Sequence, residues 1–127
     1  MDRTNYYKML IESLRLISAS AEVQENSFQD DVHIPDEIAL TFSETFLLVE
    51  QDQESLNIKS PIFQKLEKIE NYFDMLSGED FPEFWTSEAM KNDKRWQNLR
   101  NMGTEILDLL NEPKNKPDLF WIKYITE

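Results

Sequence analysis

The sequence predicts an all-α fold, a compact bundle of about four main helices followed by a short C-terminal helix or strand. Apolar residues recur at intervals of three and four along most of the 127 residues, which is the period of a helix with one buried face. Only two glycines occur, Gly78 and Gly103, whereas tight hairpins generally need glycine or asparagine at positive φ. At this length we expect one helical domain, residues 1–127.

The first two helices are predicted from an apolar stripe and a proline. A stripe at helical spacing runs from about Thr4 to Ala21. Residues 23–34 are polar, acidic and without a period, so we expect a loop there. The second helix should begin at Pro35, because its fixed φ and missing N–H suit a first turn, and Asp36 and Glu37 complement the helix dipole.

Two further long helices follow from stripes and capping residues. Ser60 is a predicted N-cap and Pro61 the first helical residue of a helix that should end at Gly78. Thr86 or Ser87 can cap a short turn, and Asp93 can cap the last long helix. Gly103 falls on the apolar face of that helix, where it would let another helix approach. The stripes comprise Tyr7, Leu10, Ile11, Leu14, Ile17 and Ala21, then Ile38, Phe42, Phe46 and Val49, then Ile62, Leu66, Ile69, Phe73 and Leu76, then Trp96, Leu99, Ile106 and Leu110. Residues 118–126 fit either a short helix or a strand.

Charge is the most uneven property of the sequence. Arg15 and Lys59 are consecutive basic residues, and ten acidic residues lie in the acidic segment between them, residues 16–58, in a chain whose formal net charge is -12. This pattern fits a surface complementary to a basic protein partner, and it fits equally a device for solubility. The acidic residues that we expect to contact a partner are Glu22, Glu25, Asp30, Asp31, Asp36, Glu37 and Glu44.

An aromatic connection, residues 81–85, separates the third helix from the next turn. Aromatic side chains beside acidic residues often anchor protein interfaces, and we add Phe81, Phe84 and Trp85 to the predicted partner surface. The same residues could instead cap the core of the bundle. Trp96 lies on a helical stripe and is predicted to be a core residue.

The residues that carry most catalytic and metal chemistry are scarce. There is no cysteine and His33 is the only histidine. Asp30, Asp31, His33, Asp36 and Glu37 lie close in sequence, but their spacing matches neither a calcium loop nor a zinc motif. We therefore expect no bound metal, no cofactor and no enzymatic activity.

Two carboxylate pairs on predicted helices provide the one enzymatic alternative. Glu67 with Glu70, and Glu105 with Asp108, have i, i+3 spacing and resemble the carboxylate pairs of MazG-type nucleotide pyrophosphohydrolases. That resemblance implies Mg²⁺ bound against a nucleotide pyrophosphate. The sequence departs from the family pattern, because Leu66 stands where the family has an acidic residue beside its first glutamate.

Membranes and nucleic acids are disfavoured as partners. The longest apolar runs contain four residues, whereas a spanning helix needs about 20. Glu12 and Arg15 interrupt the place where a signal peptide would have its apolar region. A strongly negative chain is repelled by phosphates and anionic lipids. We expect a cytoplasmic protein that binds neither nucleic acid nor membrane.

The whole layout resembles that of a known class of small bacterial proteins. A cysteine-free, acidic, helical chain with a long base-free segment is similar to the immunity proteins of polymorphic-toxin and contact-dependent inhibition systems. Residues 84–110, FWTSEAMKNDKRWQNLRNMGTEILDLL, are similar to small bacterial proteins of this kind. The resemblance implies a toxin inhibitor that covers the cationic site of a basic toxin domain, often a nuclease. A helical adaptor or regulatory subunit for a basic protein is the alternative.

Overall fold

A computed structural model describes residues 5–28 and 32–122. Six α-helices and one 3-10 helix lie in this part of the chain, and no strand does. The α-helices are α1 (Tyr6–Ser18), α2 (Ala21–Asn26), α3 (Ile34–Gln51), α4 (Ser60–Leu76), α5 (Ser87–Asn92) and α6 (Lys94–Leu109), and the 3-10 helix, Pro82–Trp85, precedes α5. The all-α prediction is confirmed.

The four long helices, α1, α3, α4 and α6, form the bundle. Helix α1 packs mainly against α3 and α6, and α4 packs against the same two helices, so α1 and α4 occupy opposite corners. The predicted stripes meet in a single apolar core, as helices with one apolar face require. Its fully buried side chains include Leu10, Leu14, Ile38, Phe42, Leu66, Ile69, Trp96 and Leu99.

Gly103 allows α1 and α6 to approach closely. A Cβ atom at this position would lie 3.3 Å from Cγ2 of Ile17 and 3.3 Å from the carbonyl oxygen of Leu14. The carbonyl belongs to the backbone of α1 and cannot rotate away, so a side chain would push the helices apart. The predicted role of Gly103 in helix packing is confirmed.

Helix α2 corrects the prediction of a loop over residues 23–34. The hydroxyl of Ser20 accepts a hydrogen bond from the backbone N–H of Val23 at 3.3 Å and caps this short helix. The amide of Gln24 is buried and donates to the carbonyls of Leu16 and Ile17, each at 3.1 Å. A helix of six residues is too short to display a helical period, and its buried residue is polar. Ala21 therefore belongs to α2, because α1 ends at Ser18.

The other predicted helix ends are close to the observed ones. Helix α3 begins one residue early, at Ile34, with Pro35 in its first turn. Ser60 is the first residue of α4 and not its N-cap, a position that Lys59 occupies without a side-chain hydrogen bond. Gly78, at φ +92°, follows the end of α4 as predicted.

The predicted caps of α5 and α6 are confirmed. Thr86 accepts a hydrogen bond from the N–H of Ala89 at 3.0 Å, and Asp93 accepts one from the N–H of Arg95 at 2.8 Å. These two caps fix where the chain turns between the 3-10 helix and α6.

The chain beyond α6 follows an irregular path back along the bundle. The carboxylate of Glu12 on α1 accepts a hydrogen bond from the backbone N–H of Asp118 at 2.9 Å. Leu119 and Trp121 are buried in the core. A short helix or strand was predicted over residues 118–126. Residues 118–122 form neither an α-helix nor a strand. Residues 123–126 lie outside the described part of the chain.

Candidate partner-binding groove

A groove of about 590 Å³ opens between the first half of α3 and the second half of α4. The 3-10 helix closes one end of this groove. Its apolar lining includes Leu40, Phe73 and Trp85, and its carboxylates are Asp36, Glu70 and Asp74. The groove therefore joins part of the acidic segment to part of the aromatic connection.

Two hydrogen bonds hold Trp85 at the end of the groove. Its indole Nε1 donates to the carbonyl oxygen of Leu76, in the last turn of α4, at 2.7 Å. Its own carbonyl accepts a hydrogen bond at 2.7 Å from Nε2 of His33, the residue that precedes α3. Because a carbonyl oxygen only accepts, Nε2 carries the hydrogen in this arrangement. The two bonds tie the start of α3 and the end of α4 to the same tryptophan.

Phe84 lies beneath Trp85 and corrects the predicted partner surface. The Phe84 side chain is 0% exposed, and its ring stacks on Trp96 with 4.7 Å between centroids. The indole of Trp96 also donates to the Phe84 carbonyl at 2.8 Å. The prediction that Phe84 contacts a partner is wrong, because its ring is buried in the core. Trp96 is also buried, as predicted.

Trp85 and Phe81 keep part of their surface. Trp85 is half-buried, with its ring centroid 6.3 Å from that of Phe73, and it lines the groove. Phe81 is also half-buried, but the guanidinium of Arg95 lies over its ring, 6.0 Å from the centroid. Phe81 thus belongs to the outer side of the 3-10 helix and does not line the groove.

Within the described part of the chain, the carboxylates of the groove are not accompanied by a lysine or arginine that lines it. Glu70 accepts a hydrogen bond from the Ser43 hydroxyl at 2.7 Å, and Nε2 of His33 lies 3.9 Å from Oδ2 of Asp36. The Asp74 carboxylate is exposed and makes no hydrogen bond or ion pair with the described residues.

Other surface carboxylates contrast with those of the groove. Glu12 lies 2.7 Å from Arg15, Glu105 lies 2.7 Å from Lys65, and Asp108 lies 2.8 Å from Lys114. These three basic side chains are therefore engaged away from the groove.

The remaining predicted acids are spread over several surfaces. Glu44 is exposed on α3 beyond the groove, on the same face as Leu40 and Leu47, which are 52% and 53% exposed. Glu37 is half-buried and lines a separate hollow with Lys116. Glu22 and Glu25 lie on α2, where Glu25 is 3.8 Å from Lys91. Asp30 and Asp31 lie outside the described residues.

The four acids of the enzymatic alternative do not assemble a site in the described structure. Glu105 and Asp108 each pair with a lysine, and Glu70 is held by Ser43 inside the groove. Within residues 5–28 and 32–122, no three or more His, Cys, Asp or Glu side chains are grouped so that they could hold a metal ion.

Sequence reasoning missed Asp74 and the role of Glu70 in the groove. Both lie on the polar side of α4, four residues apart, so they share one face of the helix. That spacing was the available signal. The local sequence does not reveal that this face turns toward α3.

None of the described helices combines the length and the apolar character that crossing a membrane requires. Comparison of the chain with protein-family models, with curated proteins and with solved structures gives no match.

Proposed function

We propose that this protein is an immunity-type inhibitor, a bacterial cytoplasmic protein that binds and neutralises a basic toxin domain. The observation that carries the proposal is the groove, whose carboxylates Asp36, Glu70 and Asp74 are joined by no lysine or arginine among the lining residues that the structure describes. A basic partner would supply the missing positive charge. The toxin domain would be a protein with a cationic active site, such as a nuclease, and the inhibitor itself would bind neither nucleic acid nor membrane.

The exposed face of α3 extends the same surface. Leu40 and Leu47 offer apolar area that is unusually open for leucine, and Glu44 lies between them in sequence. An interface with an apolar centre and a charged rim combines affinity with selectivity, because the rim steers the partner and the centre excludes water. The groove and this face together form a continuous candidate interface along one side of α3.

A helical adaptor or regulatory subunit would use the same surface. It differs from an immunity protein in its effect on the partner, because an adaptor binds without abolishing the partner's activity. The metal-dependent pyrophosphohydrolase is the third alternative, and the lysine pairing of Glu105 and Asp108 counts against it.

The proposal is tested by co-expressing this protein in a bacterium with its candidate toxin. The candidate is a basic C-terminal domain of a protein encoded by a neighbouring gene. We expect growth arrest by that domain to be relieved, a 1:1 complex on gel filtration, and loss of the domain's activity in the purified complex. A stable complex that retains full activity would favour the adaptor. Nucleoside triphosphate hydrolysis with Mg²⁺ that is abolished by Glu70→Gln would replace both proposals with the enzyme.

A further inference from the structure

The groove combines an aromatic wall with carboxylates, and a planar cation is the kind of ligand that uses both. Trp85 and Phe73 give it an aromatic wall, and Asp36 and Asp74 place carboxylates beside that wall. A neutral apolar ligand would strip water from these carboxylates without replacing their hydrogen bonds. A positively charged side chain that also packs on a ring satisfies both features.

Arginine fits these features better than lysine does. Its guanidinium is planar, stacks on aromatic rings and offers parallel N–H groups to a carboxylate, whereas the lysine ammonium is compact and strongly hydrated. Tryptophan is the best aromatic partner for a cation. The 2.7 Å hydrogen bond from indole Nε1 to Leu76 holds the Trp85 ring, and the 2.7 Å bond from His33 holds its backbone carbonyl, so little ordering is required when a ligand binds.

The outer side of the 3-10 helix shows the same chemistry within this chain. The guanidinium of Arg95 lies 5.4 Å from the ring centroid of Phe84. It also lies 2.7 Å from Asp93 and 3.4 Å from Glu83. One side of this short helix therefore holds an arginine between carboxylates and an aromatic ring. The groove on the other side has the carboxylates and the rings, and no arginine is among its described lining residues.

From these observations we infer that the groove binds an arginine side chain of the basic partner. The guanidinium stacks on Trp85 and pairs with Asp36 and Asp74. This inference rests on the proposed function and names the residue type that the surface recognises.

Three blocked tripeptides test the inference directly. Acetyl-Ala-Arg-Ala-amide, its lysine analogue and its citrulline analogue are titrated into ¹⁵N-labelled protein, because citrulline keeps the shape of arginine without the charge. We expect the arginine peptide to shift the Trp85 indole resonance and the backbone amides of residues 36–43 and 73–78. The lysine peptide should bind several-fold more weakly, and the citrulline peptide should cause no comparable shift. Equal responses to all three peptides, or shifts centred elsewhere, would overturn the inference.

Two groove variants and one matched control complete the test. Asp74→Asn and Trp85→Phe should each weaken binding of the arginine peptide about threefold to tenfold, as loss of one ion pair or one strong cation–π contact does. Asp108→Asn removes one charge far from the groove and should leave binding unchanged. The Asp74 carboxylate has no hydrogen bond or ion pair with the described residues to lose, so this variant should keep the wild-type melting temperature.

The same variants separate this inference from the proposed function. If the toxin domain is neutralised with equal affinity by wild type, Asp74→Asn and Trp85→Phe, the immunity function stands and the arginine site is overturned. If the arginine peptide fills the groove and no basic domain is neutralised, the arginine site stands and the immunity function fails.

Discussion

Arg100 is the side chain whose environment differs most from what its chemistry suggests. It is 9% exposed, and its guanidinium donates to the carbonyl of Ala19 at 3.0 Å, to Oε1 of Gln24 at 3.1 Å and to the carbonyl of Met90. None of these acceptors is a carboxylate. The two carbonyls lie at the C-terminal ends of α1 and α5, where the helix dipole is negative. Burial lowers the pKa of Arg100 below its usual value, and these acceptors stabilise the charge.

This buried polar pair could not be read from the sequence. Periodicity treats arginine and glutamine as exposed, and only the meeting of three chain segments makes Arg100 and Gln24 interior residues. For Phe84 the error is the opposite, because a buried residue was predicted to be exposed. An aromatic residue between helices is easily assigned to a binding surface when its stacking partner, here Trp96, is not known. At the residue scale, sequence patterns report polarity and spacing but not which non-local neighbours arrive.

Tyr7 should make the free energy of unfolding depend on pH in the alkaline range. Burial and the hydrogen bond from its hydroxyl to Glu112, 3.0 Å long, raise the pKa of Tyr7 from 10.0 to about 12. The folded state keeps the neutral phenol longer than the unfolded state does. Its contribution to the free energy of unfolding is therefore complete below pH 10 and is lost as the pH rises toward 12. In urea titrations, wild type should lose stability more steeply than Tyr7→Phe over this range. Parallel curves for the two proteins would contradict the assignment.

At the scale of elements, the long helices and the short turn capped by Thr86 were predictable, and the short helix α2 was not. The stripe of α4 repeats through Leu66, Ile69 and Phe73 and shows a clear period, whereas the six residues of α2 are too few to show one. Thr86 and Asp93 were recognisable as caps because capping is a local interaction between neighbours in sequence. The pairing of α3 with α4, which creates the groove, is a non-local event that their separate patterns do not specify.

Helix α4 provides a matched test of the packing. Leu66 is 0% exposed and Met75, on the same helix, is 64% exposed. Leu66→Ala should lower the free energy of unfolding by about 2–5 kcal/mol, because it removes buried methyl groups and leaves a cavity. Met75→Ala should change it by less than about 0.5 kcal/mol. Urea denaturation of both variants measures the difference, and equal effects would show that the assigned core face of α4 is wrong.

At the scale of the whole molecule, the fold converts a sequence asymmetry into a surface. The acidic segment was visible in the sequence as ten carboxylates without a base. The fold divides the described members of this segment among α2, α3 and other surfaces, and of the predicted acids that the structure describes, Asp36 alone lines the groove, beside Trp85. The sequence thus predicted which regions would carry the charge. Which acids act together depends on helix packing, and so does the recruitment of Asp74 from α4.

The position of the charge, as distinct from its amount, should control association with a basic partner. Two variants separate the position of the charge from its amount, because each removes three carboxylates. The first variant removes them from α3, and the second removes them from α5 and α6. The first variant is Asp36→Asn, Glu37→Gln and Glu44→Gln, and the second is Glu88→Gln, Glu105→Gln and Asp108→Asn. Opposite charges attract beyond contact distance at low salt, and this attraction is screened over about 8 Å at physiological ionic strength. Stopped-flow measurements at low salt should show association several-fold slower for the first variant and near wild type for the second, and the slowing of the first variant should vanish at high salt. Equal slowing by the two variants would mean that net charge alone steers the partner and that the acidic segment serves solubility.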